Sequence, residues 1–319
     1  MAQFSSLILI FLFSFLLVVA TDILIINLRS LSQKSRLKKW AIIGLILGLT
    51  TSLPEFFVAL SAALAGKPIL ALGNIIGANI ANLSLVVGGA ALIGGTVMVK
   101  GTFLRRDVFY AFLAATSPML LLSDKILTRI DGLILVILYV FYKIIIFTGQ
   151  PNQEEKPLRL LRKFNYPFRQ VSVQLAWILG GLALLIFAAD ALVKVASQFA
   201  LAFNFPLLLV GLLLISLGTT LPELIFAIEP FRQRKTSLIF DNLLGSIVAN
   251  GTLIIGLAAL ISPIRIQNFN SYLLSTMAFL LIFGLFYFFI HTKHRLERWE
   301  GGFLLIVFLI FMMVIMRSL

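Results

Sequence analysis

Apolar runs separated by short polar or basic stretches fill the chain from end to end. The runs are continuous rather than alternating, and many reach the roughly 18–20 residues that an α-helix needs to cross the hydrocarbon of a bilayer. Strands of a membrane barrel would instead alternate apolar and polar positions. The pattern predicts an all-α polytopic membrane protein with ten transmembrane helices, near 4–28, 41–65, 69–97, 107–123, 131–148, 173–196, 206–229, 238–262, 271–290 and 302–316. No basic residue precedes Arg29, and the first run is too long for a cleaved leader, so the first helix is expected to be retained.

A few polar residues interrupt these runs, and they do so twice. Thr51-Ser52-Leu53-Pro54-Glu55 returns 168 residues later as Thr219-Thr220-Leu221-Pro222-Glu223. Between 51–93 and 219–261, 17 of 43 positions are identical at that offset, among them Asn74, Gly77, Ala81, Asn82 and Gly88. Composition alone produces Leu and Ala matches between apolar helices. It does not produce Pro-Glu and paired Asn matches in one register. The chain therefore divides into a first five-helix repeat, 1–148, a linker, 149–171, and a second five-helix repeat, 172–319.

Charge gives the repeats their orientation. Loop 29–40 carries Arg29, Lys34, Arg36, Lys38 and Lys39, whereas its equivalent, 197–208, carries no Lys or Arg. Loops after the odd-numbered spans hold about 20 of the 26 Lys and Arg, a bias that marks the cytoplasmic side. The two five-helix repeats are thus expected to be inverted, with a cytoplasmic linker and both termini outside. This bias also accounts for the net charge of +13 without a nucleic-acid partner.

Each repeat places a Glu beside a Pro in a membrane span, where a carboxylate is costly and marks a functional site. Pro54 has no amide hydrogen, so the Thr50 carbonyl loses its helical partner. Thr51 and Glu55, four apart, share a face. Carbonyl, hydroxyl and carboxylate oxygens then gather within one turn, and the Gly218 carbonyl, Thr219 and Glu223 repeat the arrangement. Broken membrane helices use such groups as cation ligands. Asn74, Ala78 and Asn82 form one face of the next helix, matched by Asn242, Ser246 and Asn250. Asn74 and Asn242 are expected to serve as interhelical hydrogen-bond residues, with Gly77 and Gly245 allowing close approach.

All of these donors are oxygen, which suits a hard cation such as calcium. Two glutamates neutralise one divalent or two monovalent ions, a basis for exchange. With no Cys, and with both His (291 and 294) in one loop, thiolate and His-based metal sites are excluded. No His-Glu-x-x-His motif is present, and no enzyme or cofactor is expected.

The Ala-Asp-x-Leu-Val element at Ala189–Val193, the two Thr-[Ser/Thr]-Leu-Pro-Glu segments and the Gly-Asn-type starts of spans 3 and 8 resemble the calcium/cation antiporter superfamily, prokaryotic sodium/calcium exchanger branch. The resemblance covers both halves. It implies a central site between spans 2, 3, 7 and 8, with spans 1 and 6 sliding to alternate access. Its ligands would be Glu55 and Glu223, with Thr50, Thr51, Ser52, Thr219, Thr220, Asn82, Ser246 and Asn250. It implies exchange of calcium for sodium across a prokaryotic plasma (inner) membrane, or, as the alternative, of calcium for protons. The partners would be the bilayer and these ions. The sequence departs from the superfamily at Ala78, in place of a Ser ligand, at Asn250, in place of a frequent Asp, and at Asp241 and Glu229.

Overall fold

The computed structural model describes residues 2–34, 50–98, 102–149, 168–220, 223–224, 227, 236–293 and 295–317. These are helical almost throughout. Helix α1 spans Ala2–Lys34, and α2, Leu53–Leu64, follows a 3-10 turn at Thr50–Ser52. Helix α3 runs Pro68–Ala81, widens into a π turn at Asn82–Val86 and continues over Val87–Gly94. Then come α4 (Thr102–Leu121), α5 (Arg129–Gly149) and α6 (Phe168–Phe203). Helix α7 begins at Leu207, passes a π turn at Val210–Ile215 and reaches Thr220. Helix α8 runs Thr236–Ala249, with a π turn at Asn250–Ile254, to Ile261; α9 is Phe269–Lys293 and α10 is Arg298–Arg317.

Six described stretches are long and apolar enough to cross a membrane: Ser5–Leu28, Pro68–Gly94, Ser172–Phe203, Leu243–Ile261, Phe269–Thr292 and Arg298–Arg317. For α2 and α7 the expected spans extend into 41–49 and beyond 220, mostly outside the described residues. Several expected boundaries move: α6 ends at Phe203, α4 starts at Thr102 and α10 at Arg298. Helix α1 continues past 28 to Lys34, and α6 starts at Phe168, inside the expected linker. A helix already nucleated propagates cheaply into flanking polar sequence, so hydropathy underestimates both lengths.

Burial separates a centre from a periphery. Helices α3 and α8 are mostly buried, whereas only a third of the apolar window of α1, α6 and α10 is buried. Phe15, Phe187, Leu201 and Ile306 lie on that outer surface, which suits contact with lipid. Helices α1 and α6 pack antiparallel along their length. Phe13 meets Phe187, Gly181 rests on the backbone at Ala20 and Leu24, and Gln174 donates to Ser30 Oγ at 2.6 Å.

The two halves are braced across each other. Strand β1 (Val97–Met98) pairs with β4 (Arg295–Leu296), and β2 (Ile126–Leu127) pairs with β3 (Ile264–Arg265), both antiparallel. Beneath them, Gly88 of α3 faces Gly301 of α10, and Gly256 of α8 faces Gly132 of α5. A Cβ on any of the four would come within 2.8 Å of the opposing backbone. Helix α3 also meets α7 backbone to backbone, through Gly73, Gly77 and Gly211. Gly77 thus permits the expected close approach. Gly245 has no described atom within 4 Å of a built Cβ, and residues 44–48, at the positions equivalent to its expected neighbours, lie outside the described residues.

Candidate cation site

The site begins where α2 begins. Pro54 falls in the first turn of α2, where a missing amide hydrogen costs little, and the 3-10 turn Thr50–Ser52 leads into it. Such a turn bonds three residues ahead, so the chain meets the proline by tightening at Thr50. Glu55 sits in that same first turn, near the positive end of the helix, and is 1% exposed. Ser52 is buried beside it, and Thr51 is half-buried. On α7, Thr219 and Thr220 are buried, and both hydroxyls donate to the Ser216 carbonyl, Thr219 at 3.1 Å. Their oxygens keep free lone pairs. Glu223 is half-buried and helical; Leu221 and Pro222 lie outside the described residues, as does Glu229.

Contacts join these segments. The Thr219 side chain lies against the Glu55 carboxylate, and Glu55 and Glu223 are close enough to repel. The Asn82 amide meets the Glu223 carboxylate. Ser52 Oγ and Ser246 Oγ are 2.7 Å apart, linking α2 to α8, and Asn250 lies one turn further along α8. Of the expected ligands, Glu55, Glu223, Thr219 and Asn82 are brought together in one set of contacts, and Ser52 and Ser246 in a second. Thr51 and Thr220 adjoin them in sequence.

The hydrogen-bond accounting is unusual for a protein interior. Among the described residues, both oxygens of Glu55, and Oδ1 of Asn82 and of Asn250, are buried with no donor in good hydrogen-bond geometry. Buried acceptors are nearly always paired, since leaving one bare costs on the order of 1–3 kcal/mol. These four acceptor oxygens, on three helices, give this region, the basin, an electronegative lining that disfavours anions. Among the described residues no three His, Cys, Asp or Glu cluster.

Sequence reasoning missed three features. The first is the pair of π turns, which start at Asn82 and Asn250 and coincide at the 168-residue offset. Such turns cluster at functional sites. The second is Asn79, buried on α3, whose Oδ1 accepts from Asn250 Nδ2 at 2.9 Å. The third is Ser14 of α1, fully buried with no hydroxyl partner and pressed against Gly218. A serine in an apolar run is too common a signal to have found it. Asn74 differs from expectation: it is fully buried, yet neither of its amide atoms has a hydrogen-bond partner among the described residues. The Asn242 and Asp241 side chains lie outside the described residues.

The chain is 30% identical over 277 residues to the putative antiporter CaxA of Alkalimonas amylolytica, covering 84% of this chain and 85% of that protein. Its fold is similar to the crystal structure of the H+/Ca2+ exchanger CAX, with a TM-score of 0.70 at 20% identity over 97% of this chain and 80% of that one. It is also similar to the sodium-calcium exchanger NCX_Mj, with a TM-score of 0.61 at 23% identity over 95% and 97%. Residues 5–148 and 173–317 match the family described as Sodium/calcium exchanger protein. An integral membrane protein built of apolar helices, this chain belongs to the sodium/calcium exchanger family.

Proposed function

We propose that the protein is a secondary antiporter that exchanges calcium for sodium by alternating access at this site. Glu55 and Glu223 are the shared carboxylates. Thr50, Thr51, Ser52, Thr219, Thr220, Asn82, Ser246 and Asn250 supply carbonyl, hydroxyl and amide oxygens. The observation that carries this reading is the set of buried acceptors without donors, because a dehydrated calcium ion takes six to eight oxygens. Two carboxylates balance its charge, and two monovalent ions balance them equally well, so neither state leaves the pair bare.

The architecture in this reading is ten transmembrane helices in two inverted five-helix repeats, 1–148 and 172–319, joined by the linker 149–171. The antiparallel packing of α1 on α6 supports it, because equivalent helices of inverted repeats must run in opposite directions. Both termini face outward in a prokaryotic plasma membrane, as the loop charges argue.

Proton coupling is the second reading. Ala78 and Asn250 offer a sodium ion fewer or weaker ligands than Ser and Asp would, and the solved exchangers similar to this chain include one of each coupling. Calcium flux into proteoliposomes decides between them. Uptake driven by an outward sodium gradient, and not by a proton gradient alone, supports sodium exchange; the reverse assigns the protons. Calcium flux that needs no counter-ion gradient overturns antiport altogether.

A further inference from the structure

The side chain of an asparagine has two faces, an oxygen that attracts a cation and an NH2 that repels one. Asn250 is useful to a cation only if its oxygen faces the basin. We propose that Asn79 is a positioning residue that fixes the Asn250 amide in that orientation. The inference rests on the reading of the basin as a cation site, and it assigns a role to a residue outside the ligand set.

The argument starts from a group that cannot flip. The Ile247 backbone carbonyl, in the last turn of α8 before its π turn, accepts from Asn79 Nδ2 at 3.4 Å. Were Asn79 reversed, its Oδ1 would face that carbonyl, acceptor against acceptor. The carbonyl therefore selects the Asn79 orientation with Oδ1 turned toward Asn250. Asn250 can satisfy that oxygen only by offering Nδ2, which it does at 2.9 Å. Its own Oδ1 is then directed away, buried and without a donor. Polarity passes from a backbone carbonyl, through two amides, to a bare oxygen. Both side chains are at most 3% exposed, so water offers no competing partner.

The relay exists on one side only. The residue equivalent to Asn79 in the second half is Ile247, which has no amide. Asn82, the equivalent of Asn250, is held instead by the Glu223 carboxylate. Its orientation depends on a group that itself changes partners when a cation arrives, whereas that of Asn250 does not. Asn250 is thus the constant amide ligand and Asn82 the conditional one.

The test compares Asn79→Leu in two backgrounds. In the natural chain it frees Asn250 to turn its NH2 inward. In an Asn250→Asp chain both ends of the side chain at position 250 are acceptors, and orientation no longer matters. The probe is calcium, read as the half-saturating concentration for thermal stabilisation of purified full-length protein and for flux. Asn79→Leu is expected to raise it about ten-fold in the natural background and less than about two-fold in the Asn250→Asp background. Melting temperature without calcium controls for folding. Equal losses in both backgrounds overturn the inference, because Asn79 then serves the fold and not the polarity of position 250. No loss in the natural background overturns it as well. If the natural chain is stabilised by neither calcium nor sodium, it is the cation-site reading that fails, and this inference falls with it.

Discussion

Helices α3 and α8 occupy equivalent places and share a backbone plan, yet they present different chemistry. Each has a π turn at the same offset, a hydroxyl bonded one turn back (Ser84 to Ile80, Thr252 to Val248), and a glycine crossing against the other half. At the three positions nearest the site, α3 reads Ala78, Asn79, Asn82, and α8 reads Ser246, Ile247, Asn250. The features that set how backbones pack recur, as does the Asn82/Asn250 pair. Those that diverge, at 78/246 and 79/247, are a hydroxyl and an amide beside the site. The scaffold constrains both copies alike, because a side chain at Gly88 or Gly256 meets backbone that cannot move aside. The ion does not, because a spherical cation with flexible coordination can be satisfied by unequal halves.

The carboxylates are the largest element common to both halves, and removing either should break function outright. Glu55→Gln and Glu223→Gln each keep shape and remove one charge. Each is expected to cut calcium flux in proteoliposomes by at least about 100-fold with the protein still folded, since a divalent ion then carries an unbalanced charge into the bilayer. Flux near the natural level in either variant would remove that glutamate from the site.

The packing side of the comparison predicts equality. Gly88→Ala and Gly256→Ala should destabilise by similar amounts, each about 1–3 kcal/mol, because a Cβ must push apart two helix backbones. Gly180→Ala on α6, where a Cβ meets no described atom, should change stability by less than about 1 kcal/mol. Thermal melts in detergent check all three, and a large difference between the first two would mean the crossings are not equivalent.

The chemical side predicts inequality, with the smallest effect. Ala78→Ser gives α3 the hydroxyl that α8 has in Ser246. Sodium competition against calcium uptake should strengthen about two- to five-fold, the scale of one modest ligand, while calcium affinity stays nearly unchanged. If sodium competes in neither protein, the proton-coupled reading takes its place.

What the sequence made legible follows the same division. Long apolar runs announced the helices, because nothing else tolerates lipid over that length. Pro-Glu pairs announced the carboxylates, because their cost in hydrocarbon makes them conspicuous. Two-residue strands such as Val97–Met98 are too short to carry an alternation. The π turns have no compositional cue, since one extra residue in a helical turn leaves an apolar run looking the same. Asn79 was hidden for a different reason. A search guided by repeats looks for matched polar residues, and its match is Ile247.

The paired strands and facing glycines have a consequence for how the chain holds together. The end of α3 is clasped by the start of α10, and the end of α8 by the start of α5, so each half closes the other. Cohesion of this kind resembles an exchange of arms between two partners. It adds to the packing of α1 on α6 and of α3 on α7, so the first and second halves of the chain hold each other at several places along their length.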